Sequence, residues 1–382
     1  MSRPIRLYLD WAALRHNHAV ARRQAEGSKL WSVIKANAYG HGVLPAAQAL
    51  QADADGFAVI ELEAALVLRE AGIRQPMLLL EGFYRAEELP LFAAHALTPV
   101  LHAPWQVDAL IAARLPAPLP VYLKVDTGLH RLGLTAAEFA AALARLRAAG
   151  CAASITVMTH FADADEERGI SEQMSSLQHI VAGLDLPLSL ANSATLLRFP
   201  ASRGDWARPG IMLYGVSPFA GEQGADAGLR PVMSLCSELI AVKRLRAGDA
   251  VGYGGTWRAP QETCLGVVAV GYGDGYPRTL PSGTPVWVNG RPVPLVGRVS
   301  MDLLTVDLGP QATETVGARA VLWGNGGASV ESLAASLGTI GYELLCRITP
   351  RVQRIVLAEE VGAQTAVRSE GVVRAAATGG HV

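Results

Sequence analysis

Up to about residue 215 the chain repeats one pattern: a short run of β-branched, aromatic and leucine residues, then a longer stretch whose apolar positions follow helical spacing. The apolar runs at 30–35, 56–60, 77–81, 98–101, 121–125, 155–160, 186–191 and 210–214 read as strands. Between them the clearest helix signal is Thr135-Ala136-Ala137-Glu138, a capping box that opens an Ala/Leu/Arg-rich segment closed by Gly150. Eight such alternations favour a TIM-like (β/α)8 barrel over an open doubly wound sheet. In a barrel, reactive side chains gather at the C-terminal ends of the strands, and Lys35, Lys124, His160, Asn192, Ser193 and Tyr214 all fall at or just past such ends.

Beyond about residue 230 the helical spacing fades, and β runs separated by Gly and Pro take over. Residues 286–293 form a hairpin signal centred on Asn289-Gly290, a pair that tolerates the positive φ angles of a type I′ turn. One short helix is expected at 330–337. The opening run Ile5-Arg6-Leu7-Tyr8-Leu9 alternates like a strand and ends at Asp10, a helix cap. The expected organisation is therefore a strand within 1–10 that joins the β domain, a barrel over 11–230, a mainly β domain over 231–360 and a mobile tail over 361–382. No internal repeat has a solenoid period.

Of the 382 residues, 50% are hydrophobic, enough for a large core in two domains. The 33 basic and 34 acidic residues nearly cancel, so nothing steers the chain toward nucleic acid or an anionic membrane, and a small-molecule substrate is expected. The N-terminus lacks the apolar core of a signal peptide, and no run is long enough to span a bilayer, which gives a cytoplasmic expectation. Cys151, Cys236, Cys264 and Cys346 are far apart and form no Cys-x-x-Cys pair, so they read as buried free thiols rather than metal ligands, and no metal is expected.

Lys35 ends the apolar run Leu30-Trp31-Ser32-Val33-Ile34 and opens a turn of small and polar residues. Desolvation at a strand mouth disfavours the ammonium form and frees the amine for covalent chemistry with a carbonyl. The stretch Val33 to Gly42 resembles the lysine signature of the alanine racemases, which carry pyridoxal 5′-phosphate (PLP) on that lysine. Four further segments extend the resemblance along nearly the whole chain: Lys124 to Gly133, Ala207 to Gly215, Val251 to Trp257 and Gly297 to Asp302.

The resemblance implies a homodimer that interconverts L-alanine and D-alanine, an equilibrium that serves D-alanine supply for peptidoglycan and alanine catabolism alike. It places Arg208 against the pyridine nitrogen. An arginine stays protonated and can only donate, so that nitrogen must accept, which weakens the electron sink and shortens the life of a carbanion. For the two faces of the Cα the resemblance nominates Lys35 and Tyr253, the latter reaching the barrel mouth of the other subunit. A free tyrosine titrates near about pH 10, so a base role needs nearby cations, which the family supplies through His160 linked to Arg208.

The family's phosphate contacts match Tyr39, Ser193, Tyr342 and the backbone amides of Gly210 and Ile211. Its carboxylate contacts match Arg131 and the amide of Met301. Tyr272 matches a residue of a narrow access gate that favours a methyl side chain. The lysine equivalent to Lys124 is often carbamylated in the family, which would turn a cation beside Arg131 into an anion. His130 departs from the family, where a small residue is common, and bears on how Arg131 is held; Ser300 replaces a cysteine of some members. Two other readings remain open: a fold-related PLP amino-acid decarboxylase, disfavoured by Arg208, and a non-catalytic PLP-carrier barrel, which lacks a large β domain.

Overall fold

The computed structural model describes residues 3–358. Its first strand, β1 (Arg6–Leu9), buries Leu7 and Leu9 at 0% and 2% exposure, which contributes about 1.5–3 kcal/mol per side chain. Asp10 then caps the helix Trp11–Ala25, its carboxylate accepting from the Ala13 amide at 2.9 Å, as the sequence predicts.

A closed parallel barrel follows, made of β2 (Lys29–Val33), β3 (Gly56–Val59), β4 (Met77–Leu79), β5 (Leu97–Leu101), β6 (Leu119–Lys124), β7 (Ala152–Met158), β8 (Leu188–Ser189) and β9 (Trp206–Ala207). Helices alternate with the strands, and the Thr135 capping box opens Ala136–Ala149, which ends at left-handed Gly150. Strand β9 closes the ring on β2 through Lys29 with Trp206 and Leu30 with Ala207.

The eighth strand corrects the sequence expectation. Residues 210–214 are not a strand; Ile211–Tyr214 is a single 3-10 turn capped by Gly215. Pro209 has no amide to donate back to β2, so the strand ends at Ala207, although the Pro209 carbonyl still accepts from the Val33 amide at 3.0 Å before the 3-10 turn begins. Arg208 is thereby the first residue past the strand, not a residue before it.

The β domain contains β10 (Met233–Leu245), β11 (Ala250–Val251), β12 (Trp257–Arg258), β13 (Thr263–Val268), β14 (Pro285–Val288), β15 (Arg291–Pro294), β16 (Leu304–Gly309), β17 (Arg319–Trp323) and β18 (Gln353–Val356). One sheet runs in the order β15-β14-β17-β10-β1-β18, with β13 joining β10 to β16. Strand β1 lies between β10, antiparallel, and β18, parallel, so the N-terminal strand does join this domain. The β14–β15 hairpin turns at Asn289 and Gly290, with φ of +48° and +81°. The expected helix is Val330–Ser336, and a second, Gly341–Cys346, is too short to show periodicity in the sequence.

One apolar cluster runs from the barrel into the β domain. Cys236 and Cys264 are buried, but Cys151 is only partly buried and Cys346 is exposed, which corrects the expectation of four buried thiols. All four are unpaired. Among the described residues no helix is long and apolar enough to cross a membrane. The tail expected over 361–382 lies outside the described residues.

Candidate active site

Strand β2 ends at Val33, and Lys35–Tyr39 then coils once in the left-handed sense. Ala36, Asn37, Ala38 and Tyr39 have φ of +51°, +53°, +52° and +52°. For L-residues this conformation costs about 1–2 kcal/mol each, so the surroundings must enforce it. Glycine ends the coil because a Cβ on Gly40 would lie 2.3 Å from the carbonyl oxygen of Leu345. The coil sets Lys35 and Tyr39 on the wall of one cavity at the C-terminal ends of the barrel strands.

That cavity, of about 450 Å³, gathers most of the residues singled out in the sequence. Lys35, Lys124, Arg131 and Arg208 form its basic wall, with the imidazole of His160 among them; Tyr39, Ser193, Gly210, Ile211 and Tyr342 line it as well. The guanidinium of Arg208 is buried and donates from one terminal nitrogen to the Ser189 carbonyl and hydroxyl at 2.6 and 2.8 Å. Its other terminal nitrogen donates to the carbonyls of Thr159 at 2.6 Å and Leu190 at 3.1 Å. Thr159 is fixed in turn by Thr127, whose hydroxyl is 2.8 Å away, and by donating to the Val125 carbonyl.

Crowding cations in a desolvated space shifts their titration. Burial, reinforced by Arg131, holds the Lys35 ammonium below its usual range. Lys124 falls to about 8 through burial and the charges of Arg208 and Arg131. Burial and the same guanidinium of Arg208 keep His160 well below the usual histidine value, so it is neutral. Burial lowers Arg208 itself to about 10. Among the described residues lining the cavity, Glu81 is the one carboxylate, and it accepts from the Tyr84 hydroxyl at 2.6 Å.

The donor set fits PLP. A phosphate monoester needs several donors in little space, and a Cβ on Gly210 would lie 2.6 Å from the Tyr39 hydroxyl, so glycine leaves that end open. The rings of Tyr39 and Tyr342 lie 6.0 Å apart at the same wall. The Gly210 amide is occupied by Ser193, whose hydroxyl oxygen accepts from it at 2.9 Å, so amide and hydroxyl act as one donor group. An amine, a fixed guanidinium and clustered hydroxyls suit an aldehyde, a pyridine nitrogen and a phosphate.

Three candidates stand elsewhere. Tyr253, Tyr272 and Met301 are 72%, 38% and 53% exposed on the β domain and do not line this chain's cavity. His130, at φ +53°, turns outward; its side chain is 83% exposed and contacts Asp126 at 3.2 Å. It does not line the cavity, whereas its neighbour Arg131 does. Sequence reasoning missed Glu81 and Cys346 as lining residues. Glu81 stood at the end of an expected strand, which was a usable signal; Cys346 sits on the unforeseen helix Gly341–Cys346.

Two family models match the chain: alanine racemase, N-terminal domain, over residues 9–218, and alanine racemase, C-terminal domain, over residues 232–356. An alanine racemase of Shewanella sp. (strain MR-4) is 53% identical over 350 residues, covering 91% of this chain and 97% of its own. A catabolic alanine racemase of Klebsiella aerogenes is 49% identical over 358 residues, covering 94% and 100%. The crystal structure of the biosynthetic alanine racemase from Pseudomonas aeruginosa superposes with a TM-score of 0.90 at 45% identity, covering 93% of this chain and 100% of that one. Barrel, β domain, cationic cavity and these matches agree: the chain belongs to the alanine racemase family, PLP-dependent isomerases that act on an amino acid.

Proposed function

We propose that the chain interconverts L-alanine and D-alanine as a homodimer, with Lys35 and Tyr253 of the partner subunit on opposite faces of the substrate's Cα. The observation that carries this reading is the division of the machinery. One chain's cavity holds the lysine, the guanidiniums and the hydroxyls, while Tyr253, Tyr272 and Met301 stand exposed on its β domain, away from that cavity. A two-fold dimer in which each β domain covers the other's barrel mouth makes both sites complete.

Lys35, Tyr39, Ser193, Gly210, Ile211, Arg208 and Tyr342 would hold PLP. When bound it supplies an electron-withdrawing ring conjugated with the substrate nitrogen, which acidifies the Cα–H. Both terminal nitrogens of Arg208 are committed to backbone and Ser189, which leaves its Nε–H to donate to the ring nitrogen. Arg131 and the Met301 amide of the partner subunit hold the carboxylate, and Tyr272 of the partner subunit narrows access to a methyl-sized side chain.

The neutral amine of Lys35 takes the Cα proton of D-alanine, while the hydroxyl of Tyr253 of the partner subunit delivers its proton to the opposite face. For L-alanine the phenolate takes the proton and the Lys35 ammonium returns one, so each turnover leaves the pair set for the other enantiomer. Lys124, at about 8, offers a neutral amine near physiological pH. Adding CO2 to it forms an N–C bond, releases one proton and places an anion beside Arg131.

Incubating the holoenzyme with L-alanine in heavy water tests the reading. Loss of optical rotation together with Cα deuteration supports it; release of CO2, or no Cα exchange, sinks it. The relatives include a catabolic and a biosynthetic racemase, and the same equilibrium serves both directions.

A further inference from the structure

His41 follows the left-handed coil and is fully buried, yet it does not line the cavity and takes no part in the chemistry above. Its Nδ1 lies 2.9 Å from the carbonyl oxygen of Ala38 and 3.0 Å from that of Tyr39. Both are acceptors, so Nδ1 must carry the proton, and one N–H is shared between two carbonyls of the strained segment. Nε2 is buried without a hydrogen-bond partner. A protonated ring would bury a donor there, and burial, with the charge of Arg354, holds His41 at about 4.

The flat remainder of the ring is also used. It stacks on Tyr214 with ring centroids 4.6 Å apart, and Tyr214 packs in turn on the ring of Tyr39, also at 4.6 Å, while donating its hydroxyl to the Val33 carbonyl at 3.0 Å. One histidine thus grips Tyr39 twice, at its carbonyl directly and at its ring through Tyr214. Asparagine could supply the donor without the stack, and phenylalanine the stack without the donor.

We propose that His41 is a positioning residue of the cofactor site: its shared N–H locks the left-handed coil and so aims the Tyr39 hydroxyl and the Lys35 amine into the cavity. The inference rests on the reading of Tyr39 as a phosphate contact. Relaxing the coil toward ordinary backbone would turn the Ala38 and Tyr39 carbonyls away from His41 and swing Tyr39 off the wall it shares with Gly210.

The test is PLP dissociation from the holoenzyme of His41→Phe, His41→Asn, Tyr39→Phe and the double variant His41→Phe/Tyr39→Phe. The expected result is a loss of PLP affinity of roughly 10- to 100-fold for His41→Phe, recovery to within a few-fold of wild type for His41→Asn, and no further loss when His41→Phe is added to Tyr39→Phe. Wild-type affinity in His41→Phe, or independent losses in the double variant, would overturn the inference while leaving Tyr39 as a phosphate contact. Unchanged affinity in Tyr39→Phe would overturn both. Should His41→Phe fail to fold, His41→Asn decides alone: near-wild-type affinity supports the role of the shared N–H, and a loss as large as that of Tyr39→Phe refutes it.

Discussion

Arg208 donates to both the carbonyl and the hydroxyl of Ser189, at 2.6 and 2.8 Å, so the guanidinium is aimed by the end of β8 rather than by a carboxylate. Lysine cannot reproduce that fork. Arg208→Lys is therefore expected to leave buried carbonyls of Ser189, Leu190 and Thr159 short of donors. Stability should fall by about 1–3 kcal/mol, and kcat/KM should fall with it. Thermal unfolding and steady-state rates check this; a variant with wild-type stability and rate would mean that the fork does not matter.

Lys35→Ala removes the amine proposed both to anchor PLP and to act on one face of the substrate. Racemisation should fall by at least roughly 10³-fold, and the visible absorbance of the lysine-bound cofactor should vanish. A cofactor band that borohydride still fixes to the variant would place the covalent link on another lysine.

Tyr253 is 72% exposed in one chain, and its proposed partner is the other chain's Lys35. Mixing two inactive homodimers, Lys35→Ala and Tyr253→Phe, and allowing subunit exchange should restore about a quarter of wild-type activity per total subunit, because half the dimers then carry one intact site. Differently tagged chains report the exchange. Tagged heterodimers that form and stay inactive would refute the shared site.

Acid should weaken the fold through buried neutral histidines. His18 is held at about 4 by burial and by Arg22, against the opposing pull of Asp53 and Asp55; His41 is held at about 4 by burial and by Arg354. An unfolded histidine titrates near about 6.5, so between those values the unfolded chain binds more protons and stability rises with pH. Acidifying from about pH 6.5 to about pH 4 should therefore cost about 3 kcal/mol per histidine. Urea midpoints at pH 7 and pH 5 measure the slope, and His18→Gln should flatten it; identical midpoints at the two pH values would contradict it.

Much of the site was readable before the fold because chemistry and topology coincide at strand ends. Lys35, Lys124, His160 and Ser193 each follow a hydrophobic run, and each lines the cavity. The eighth strand was misplaced because 210–214 is as apolar as a strand, while the real pairing is only Trp206–Ala207, too short for a period-2 pattern to register. Tyr342 was found by resemblance but not the helix under it, since Gly341–Cys346 is shorter than two turns. The left-handed coil was illegible for a different reason: of Ala36, Asn37, Ala38 and Tyr39 only asparagine visits this conformation with any ease, and the force that imposes it on the other three comes from His41, Tyr214 and the chain near Leu345.

The position of β1 has a consequence for how the polypeptide assembles. Leu7 pairs with Leu235 on one side and with Arg354 on the other, so the two ends of the described chain are woven into adjacent rows and the entire barrel is an insertion between them. On the ribosome, the first strand has to wait for more than two hundred residues to emerge before its first neighbour exists, and for the last strand before its second. The β domain is therefore not a separable module: residues 232–356 expressed alone would expose the edges of β10 and β18 as templates for aggregation, and a peptide spanning residues 3–10 should be enough to quench it.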